Sequence, residues 1–370
     1  MDVEAKLQIP GEFRVIRYDV PDFVGDWRQI EYGDPNAPRI AQLREEFELE
    51  EVVAGCASEF AAQLALKRWV RSQWNHGYSR SATWAKDGLD ILHEVAKGEQ
   101  FCCGAYARVF MDCATALGWP ARPVGLCVAD CEFPRDYNVG NVGHAVCEVW
   151  SNDFRKWVLM DPDVNVHYER DGVPLSALEI HDAWVSGCAD EVRMVADQPG
   201  FVIPTGQTLV TGRDMCPGLN ELTDEDSRLT FERFGRHRVM DYYARLNIAG
   251  RQWADQRCLP TFVVHFGASG QQRWTSDVTD LYWPLNLVRL SATPAWDEGR
   301  PRLTIELQHC MPFFDHYEAR VDGEEWQPRE AEFEWPMHDG VNTLQCRAVN
   351  VRNVPGIVSR IEVAYSRPRW

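Results

Sequence analysis

The spacing of apolar residues switches at Gly118, and that switch decides the fold class. From Cys103 the apolar positions are Tyr106, Val109, Phe110, Cys113, Ala116 and Leu117, the three-and-four spacing of a helix with one buried face. Gly118 and Pro120 stop it, as a glycine just past the last turn and a proline beyond it do. From Ala121 the spacing becomes two. Ala121 to Val128, His144 to Trp150 and Lys156 to Asp161 are strand candidates, the last two joined by a short polar turn. Upstream, Leu49 to Trp74 and Asp87 to Val95 carry helical patterns. Helices followed by strands in consecutive hairpins indicate an α+β domain, with helices packed on an antiparallel sheet.

At 370 residues the chain has room for two or three domains. Residues 1–45 mix short apolar runs with Pro, Gly and Asp turns and read as an N-terminal extension packed on the core. Residues 46–190 hold the α+β domain. Residues 191–280 read as a mostly helical connection, on the pattern of Leu229 to Trp253 (Phe231, Phe234, Val239, Tyr242, Tyr243, Leu246). From Tyr282 the signal is all strand, about ten residues per strand, with Asp322-Gly323 and Asp339-Gly340 at turns. Residues 281–370 are therefore expected to form a β-sandwich of immunoglobulin or fibronectin type.

The net charge of -18 argues against nucleic acid and anionic membrane as partners, because both need a basic face. No apolar run approaches the roughly 20 residues of a membrane helix. Met1 to Lys6 lacks the basic-then-apolar pattern of a secretory signal. The twelve cysteines have no small-scaffold spacing and read as mostly free thiols in a reducing, cytoplasmic compartment.

Gln100 to Phe110 reads as a loop running into a helix with a cysteine at the joint. Cys103 then sits in the first turn, where unpaired backbone N–H groups favour the thiolate, the nucleophilic form. Such a nucleophile needs a base, and the base an orienting partner. His144 starts one strand and Asp161 ends the next. A hairpin pairing them centres its turn between Asn152 and Asp153, both turn-prone, and a two-residue loop is natural there. Asp161 would then accept a hydrogen bond from the His144 ring.

Four blocks fall in order: Cys103 to Phe110, Leu117 to Arg122, Gly143 to Trp150 and Trp157 to Pro162. Together they resemble the transglutaminase-like superfamily, which includes tissue transglutaminases, peptide:N-glycanases and bacterial thiol hydrolases. The resemblance covers roughly residues 50–165. It implies a papain-like core with Cys103 as nucleophile, His144 as base and Asp161 as orienter. It also suggests an upstream Trp or Gln as a second oxyanion donor, for which Trp74 and Gln100 are the candidates. Phe101 stands where the family often has glycine. The implied reaction is acyl transfer through a Cys thioester, resolved by water. The expected substrate is an amide bond in a peptide, isopeptide or glycopeptide, without a cofactor or metal.

Rival readings weigh against single residues. Cys103 alone would be a buried core thiol, and Cys102 reads as structural, with a regulatory oxidation of the pair conceivable. Cys127, Cys131, His144 and Cys147 superficially offer zinc ligands. That spacing is unfamiliar, and Cys147 is out of phase with His144 on an alternating strand. Trp283, Trp296, Trp326 and Trp335 could stack on sugars, but core packing is the better account. Amine transfer (cross-linking) and a non-catalytic glycan- or protein-binding scaffold are the competing functions.

Overall fold

The turn at Gly118 is built as its sequence implies. Gly118 has φ 85°. Its N–H donates to the Thr115 carbonyl at 2.9 Å, and the Trp119 N–H donates to the Ala114 carbonyl at 2.8 Å. This is the Schellman arrangement, which needs a left-handed residue and so favours glycine. The structure is a computed structural model. It describes residues 13–23, 32–77, 87–128, 143–188, 191–196, 237–242, 251–254, 273–275, 278–297 and 300–366. Two units emerge: residues 28–282, and residues 1–27 together with 283–370.

The first unit is α+β. Its helices are α1 (Pro38–Glu46), α2 (Leu49–Val53), α3 (Glu59–Ser72), α4 (Gly88–Val95) and α5 (Cys103–Ala116). The single helix expected over Leu49 to Trp74 is broken at Gly55, φ 73°, and restarts at Ser58, whose hydroxyl accepts the Ala61 N–H. Asp87 caps α4 in the same way through the Asp90 N–H. Helix α5 is buried nearly all round, from Tyr106 to Ala116 apart from Arg108. It packs against α1, α3 and α4 on its flanks and against the sheet.

That sheet holds β2 (Ala121–Val128), β3 (Gly143–Ser151), β4 (Lys156–Met160), β8 (His237–Tyr242), β9 (Arg251–Ala254) and β10 (Arg273–Thr275), in the order β10-β9-β8-β2-β3-β4. Beside it, β5 (Val166–Arg170), β6 (Val173–Pro174) and β7 (Arg193–Ala196) form a small sheet, and α6 (Ala177–Val185) follows β6. Val124, Val146 and Leu159 of the large sheet share a core with Tyr168, Leu178 and Ile180.

Two sequence expectations differ from the structure. The helix expected over Leu229 to Trp253 is not formed where described: His237–Tyr242 is strand β8, paired with β2, and Arg251–Ala254 is β9. The Val and Tyr content that mimicked a helical face also suits a pleated strand, and the open edge of β2 selects the strand. Residues 1–45 do not act as one extension. Pro38–Glu46 is a helix of this unit, whereas Phe13–Asp19 (β1) belongs to the other.

One buried ion pair fastens the large sheet. Arg122 and Glu148 face each other across β2 and β3, and both side chains are fully buried. Arg122 donates to Glu148 Oε2 through Nε at 2.9 Å and Nη2 at 2.7 Å, and to the Leu281 carbonyl through Nη1. Its guanidinium lies over the rings of Trp157 and Tyr282, 4.2 and 4.6 Å from their centroids. Glu148 Oε1 accepts the Ala177 N–H at 2.8 Å and the Tyr282 hydroxyl at 2.9 Å. Both charges thus have the extra hydrogen bonds that make burial tolerable.

The second unit has two antiparallel sheets. One runs β1-β17-β16-β13-β14 and the other β11-β12-β15. The strands are β11 (Val288–Asp297), β12 (Arg300–His309), β13 (Phe314–Val321), β14 (Gln327–Arg329), β15 (Glu332–Pro336), β16 (Gly340–Asn350) and β17 (Ser359–Tyr365). Alternate residues of both sheets, such as Leu303, Ile305, Leu344, Cys346, Ile361 and Val363, fill one core with Phe13 and Trp335. Trp283 is buried too, whereas Trp296 is 49% exposed, and Trp326 lies under the guanidinium groups of Arg320 and Arg347.

Two stability tests follow. Arg122→Met should lower unfolding free energy by about 3–5 kcal/mol in urea titration, because it strands the Glu148 charge. The double variant Arg122→Met/Glu148→Leu should recover a large part of that loss. In the second unit, Phe13→Ala should cost about 3–5 kcal/mol, read from the same titration.

Candidate active site

The loop before α5 is clamped from α3 and the segment after it. The Trp74 indole N–H donates to the Phe101 carbonyl at 3.1 Å, and the Gly77 N–H donates to the same oxygen at 3.2 Å. Tyr106, on the first turn of α5, stacks on Trp74 with centroids 3.9 Å apart. Its hydroxyl donates to the Trp74 carbonyl at 2.6 Å and accepts from Arg71 Nη1 at 3.0 Å. Burial pushes the Tyr106 pKa up, so the phenol stays a donor. Gln100 is exposed, and its stem packs on Gly77 so closely that a Cβ there would lie 2.6 Å from Gln100 Oε1. Trp74 and Gln100, the two oxyanion candidates, therefore both flank the loop, and the Trp74 N–H is engaged by the loop's own backbone.

Cys103 is the first residue of α5 and Cys102 its extended N-cap. Both thiols are partly accessible and unbridged. They hydrogen-bond to each other, and that bond makes one ionise at the other's expense. The Cys102 pKa falls to about 6, chiefly because the Cys103 thiol donates to it, with the Gly104 backbone N–H and His76 adding to the effect. Cys103 is pushed up by that same bond and by burial, with the Ala145 backbone acting the other way. The pair titrates as a unit: its first proton leaves below the ordinary thiol range and its second far above it. The start of α5 lies against β3: a Cβ added at Gly104 would lie 4.0 Å from the Ala145 Cβ.

The strand register explains how β3 reaches the helix. Strand β3 pairs with β2 from Gly143 to Val149, but with β4 only from Cys147 to Ser151. Cys147 faces Met160, and Ser151 faces Lys156 across a four-residue turn, 152–155, with Arg155 at φ 55°. The expected two-residue loop is thus lengthened. Asn152 takes part in tertiary bonds that explain this: its backbone N–H and its Nδ2 both donate to the Glu59 carboxylate, and its Oδ1 accepts the Trp150 indole N–H. After Met160, β4 leaves β3, and Asp161 bridges Val166 instead. His144 and Asp161 are therefore not ladder partners. His144 sits opposite Leu126 in β3, and its side chain lies outside the described residues. So do the side chains of Cys127 and Cys131. The Cys147 thiol is buried and donates to the Met160 carbonyl at 3.4 Å.

Asp161 is fully buried, and its Oδ1 accepts the N–H groups of Asp163 and Val164 at 3.2 and 3.4 Å. That turn delivers Asp163, whose Oδ1 accepts from His76 Nδ1 at 2.7 Å. Both side chains are largely buried, 13% and 6% exposed. This imidazole–carboxylate pair has no period or spacing to announce it in the sequence, because its members are 87 residues apart. The only local hint is a second aspartate two positions after Asp161.

Residues 49–162 match the family described as the Transglutaminase-like superfamily. No curated protein matches the chain. Two solved structures are similar to it. One is described as a putative cysteine protease from Cytophaga hutchinsonii, 14% identical over 50% of this chain and 58% of that one, with a TM-score of 0.28. The other is the red sea bream transglutaminase, 12% identical over 100% of this chain and 79% of that one, with a TM-score of 0.25. The chain thus spans 58% of the length of the first.

Iodoacetamide tests the coupled pair. Alkylation at residues 102–103 should rise through a midpoint near pH 6 and level off above it, as a thiolate population does. Cys102→Ser should move the midpoint of the remaining thiol upward. Peptide mapping of the labelled sites over pH 5–9 gives the readout.

Proposed function

Taking residues 49–162 as a transglutaminase-like segment, we propose that the protein is a thiol-dependent acyl-transfer enzyme that hydrolyses amide bonds. Cys103 attacks the amide carbonyl. Residue His144, oriented by Asp161, protonates the departing amine, and water resolves the thioester. The observation that carries this reading is Cys103 as the first residue of a buried helix whose next residue, Gly104, lies where an added Cβ would be 4.0 Å from the Cβ of Ala145, one residue from His144. A backbone N–H at the start of α5 is the simplest oxyanion donor. Peptides or glycopeptides are the proposed substrates. For the second unit the proposal is a fibronectin-type sandwich. Its support is that β11, β12 and β15 share one sheet while β13, β16 and β17 share the other, the division of an immunoglobulin-like sandwich.

The test is a library of fluorogenic peptide and glycopeptide amides, with and without an added primary amine. Cys103→Ala should lose turnover by at least about a thousandfold, whereas Cys102→Ala should keep measurable activity. Full activity in Cys103→Ala would remove the reading. Release of an amine adduct instead of the free acid would redirect it to cross-linking.

A further inference from the structure

The buried face of α3 carries a lysine that the proposed reaction does not use. Lys67 is 0% exposed, and its Nζ lies 3.3 Å from Nδ1 of His167, itself 1% exposed. An ammonium has donors only, so Nδ1 accepts and Nε2 carries the imidazole proton. Nε2 then donates to Glu169 Oε1 at 3.0 Å. The groups around this ring come from three elements. They are Lys67 and Phe60 from α3, Glu169 from β5 and Arg193 from β7. The Phe60 ring meets the imidazole edge-on with centroids 5.6 Å apart, and Arg193 donates to the other Glu169 oxygen at 3.5 Å. At the start of α3, Asp153 accepts the Phe60 N–H and the Glu59 carboxylate is held by Asn152. The strand that carries His167 is tied to the candidate site. Its first residue, Val166, exchanges two backbone hydrogen bonds with Asp161, each 3.1 Å. Asp161 in turn caps the turn that delivers Asp163 to His76. Lys67 thus reaches that turn through two adjacent residues of β5.

We propose that Lys67 and His167 are positioning residues for the Asp161 turn, and that they hold it only while the imidazole is neutral. The inference rests on the thiol-enzyme reading above, in which Asp161 orients the base. A protonated ring has no acceptor left. Its Nδ1–H would point at the Lys67 ammonium, and two cations would meet inside the core. The neutral ring already makes the Glu169 bond, so protonation adds no hydrogen bond there, and Arg193 offsets the Glu169 charge. Burial first, then Lys67 and Arg193, push the His167 pKa down to about 3. In an opened chain the ring titrates near about 6.5. The hold is therefore complete above that pH and is lost progressively as pH falls below it, with uptake of one proton on opening. Glu59 titrates in the same range with the opposite sign. Burial pushes its pKa up to about 7, so proton uptake there favours the closed form and cannot mimic an acid-driven opening.

The experiment is amide hydrogen exchange of the full chain at pH 7 and pH 5, corrected for the intrinsic pH dependence of exchange. Mass spectrometry reads the fragments that contain Asp161 and Val166, whose amides bond to each other's carbonyls. In wild type their protection should fall by at least about tenfold between the two pH values, as one-proton linkage requires. His167→Gln keeps an acceptor for Lys67 and cannot titrate, so its protection should change by less than about twofold. Level protection in wild type, or an equal fall in His167→Gln, overturns the proposal. If His167→Gln does not fold, the ring 15N resonances of His167 in the wild type decide. A ring that stays neutral until the amides lose protection supports the proposal, and an imidazolium at pH 5 with both amides still protected overturns it. Exchange needs no substrate, so this outcome is separate from the Cys103→Ala result that judges the enzyme reading.

Discussion

The site depends on a register, and the register depends on the buried contact between Arg122 and Glu148. These residues face each other across β2 and β3. A slip by one residue would turn Glu148 to the other face of the sheet. It would abandon two hydrogen bonds to Arg122, one to Tyr282 and one to the Ala177 backbone. Uncompensated buried charge is among the costliest faults a core can have, so the slip is excluded. With 148 fixed, the same ladder sets Ala145 opposite Gly125 and His144 opposite Leu126. The early departure of β4 then leaves residues 143–146 of β3 without a β4 partner, next to where α5 begins.

The helix end supplies the other half. Its first turn is not free to fray, because Tyr106 is stacked on Trp74 and hydrogen-bonded to the Trp74 carbonyl and Arg71. Trp74 and Gly77 in turn hold the Phe101 carbonyl. The cysteines therefore ride on a rigid joint between a helix and a clamped loop. Rigid placement is what an acyl-transfer nucleophile requires, since small displacements of the attacking atom cost rate steeply.

The parts legible in the sequence are those set by local rules. The stop of α5 at Gly118, the Asp87 cap and the span of β2 all follow from residue type and period. So does the two-residue alternation of β12, β16 and β17. What was not legible is set by distant partners. The β3–β4 turn is four residues because Asn152 answers to Glu59, 93 positions away. Strand β8 is a strand because β2 offers an edge. Phe13–Asp19 pairs with β17 at the far end of the chain. In the site, the sequence pointed to Cys103, His144 and Asp161, but His76 and Asp163 meet only through the turn that Asp161 caps.

The central claim is that Cys103 takes up the acyl group. Acid-quenched mass spectrometry during turnover of an activated acyl ester reads this directly. The account predicts an acyl mass increment on the peptide spanning residues 100–108, localised by fragmentation to Cys103. An increment localised to Cys102, or turnover of the ester with no acyl adduct on either sulfur, would contradict it.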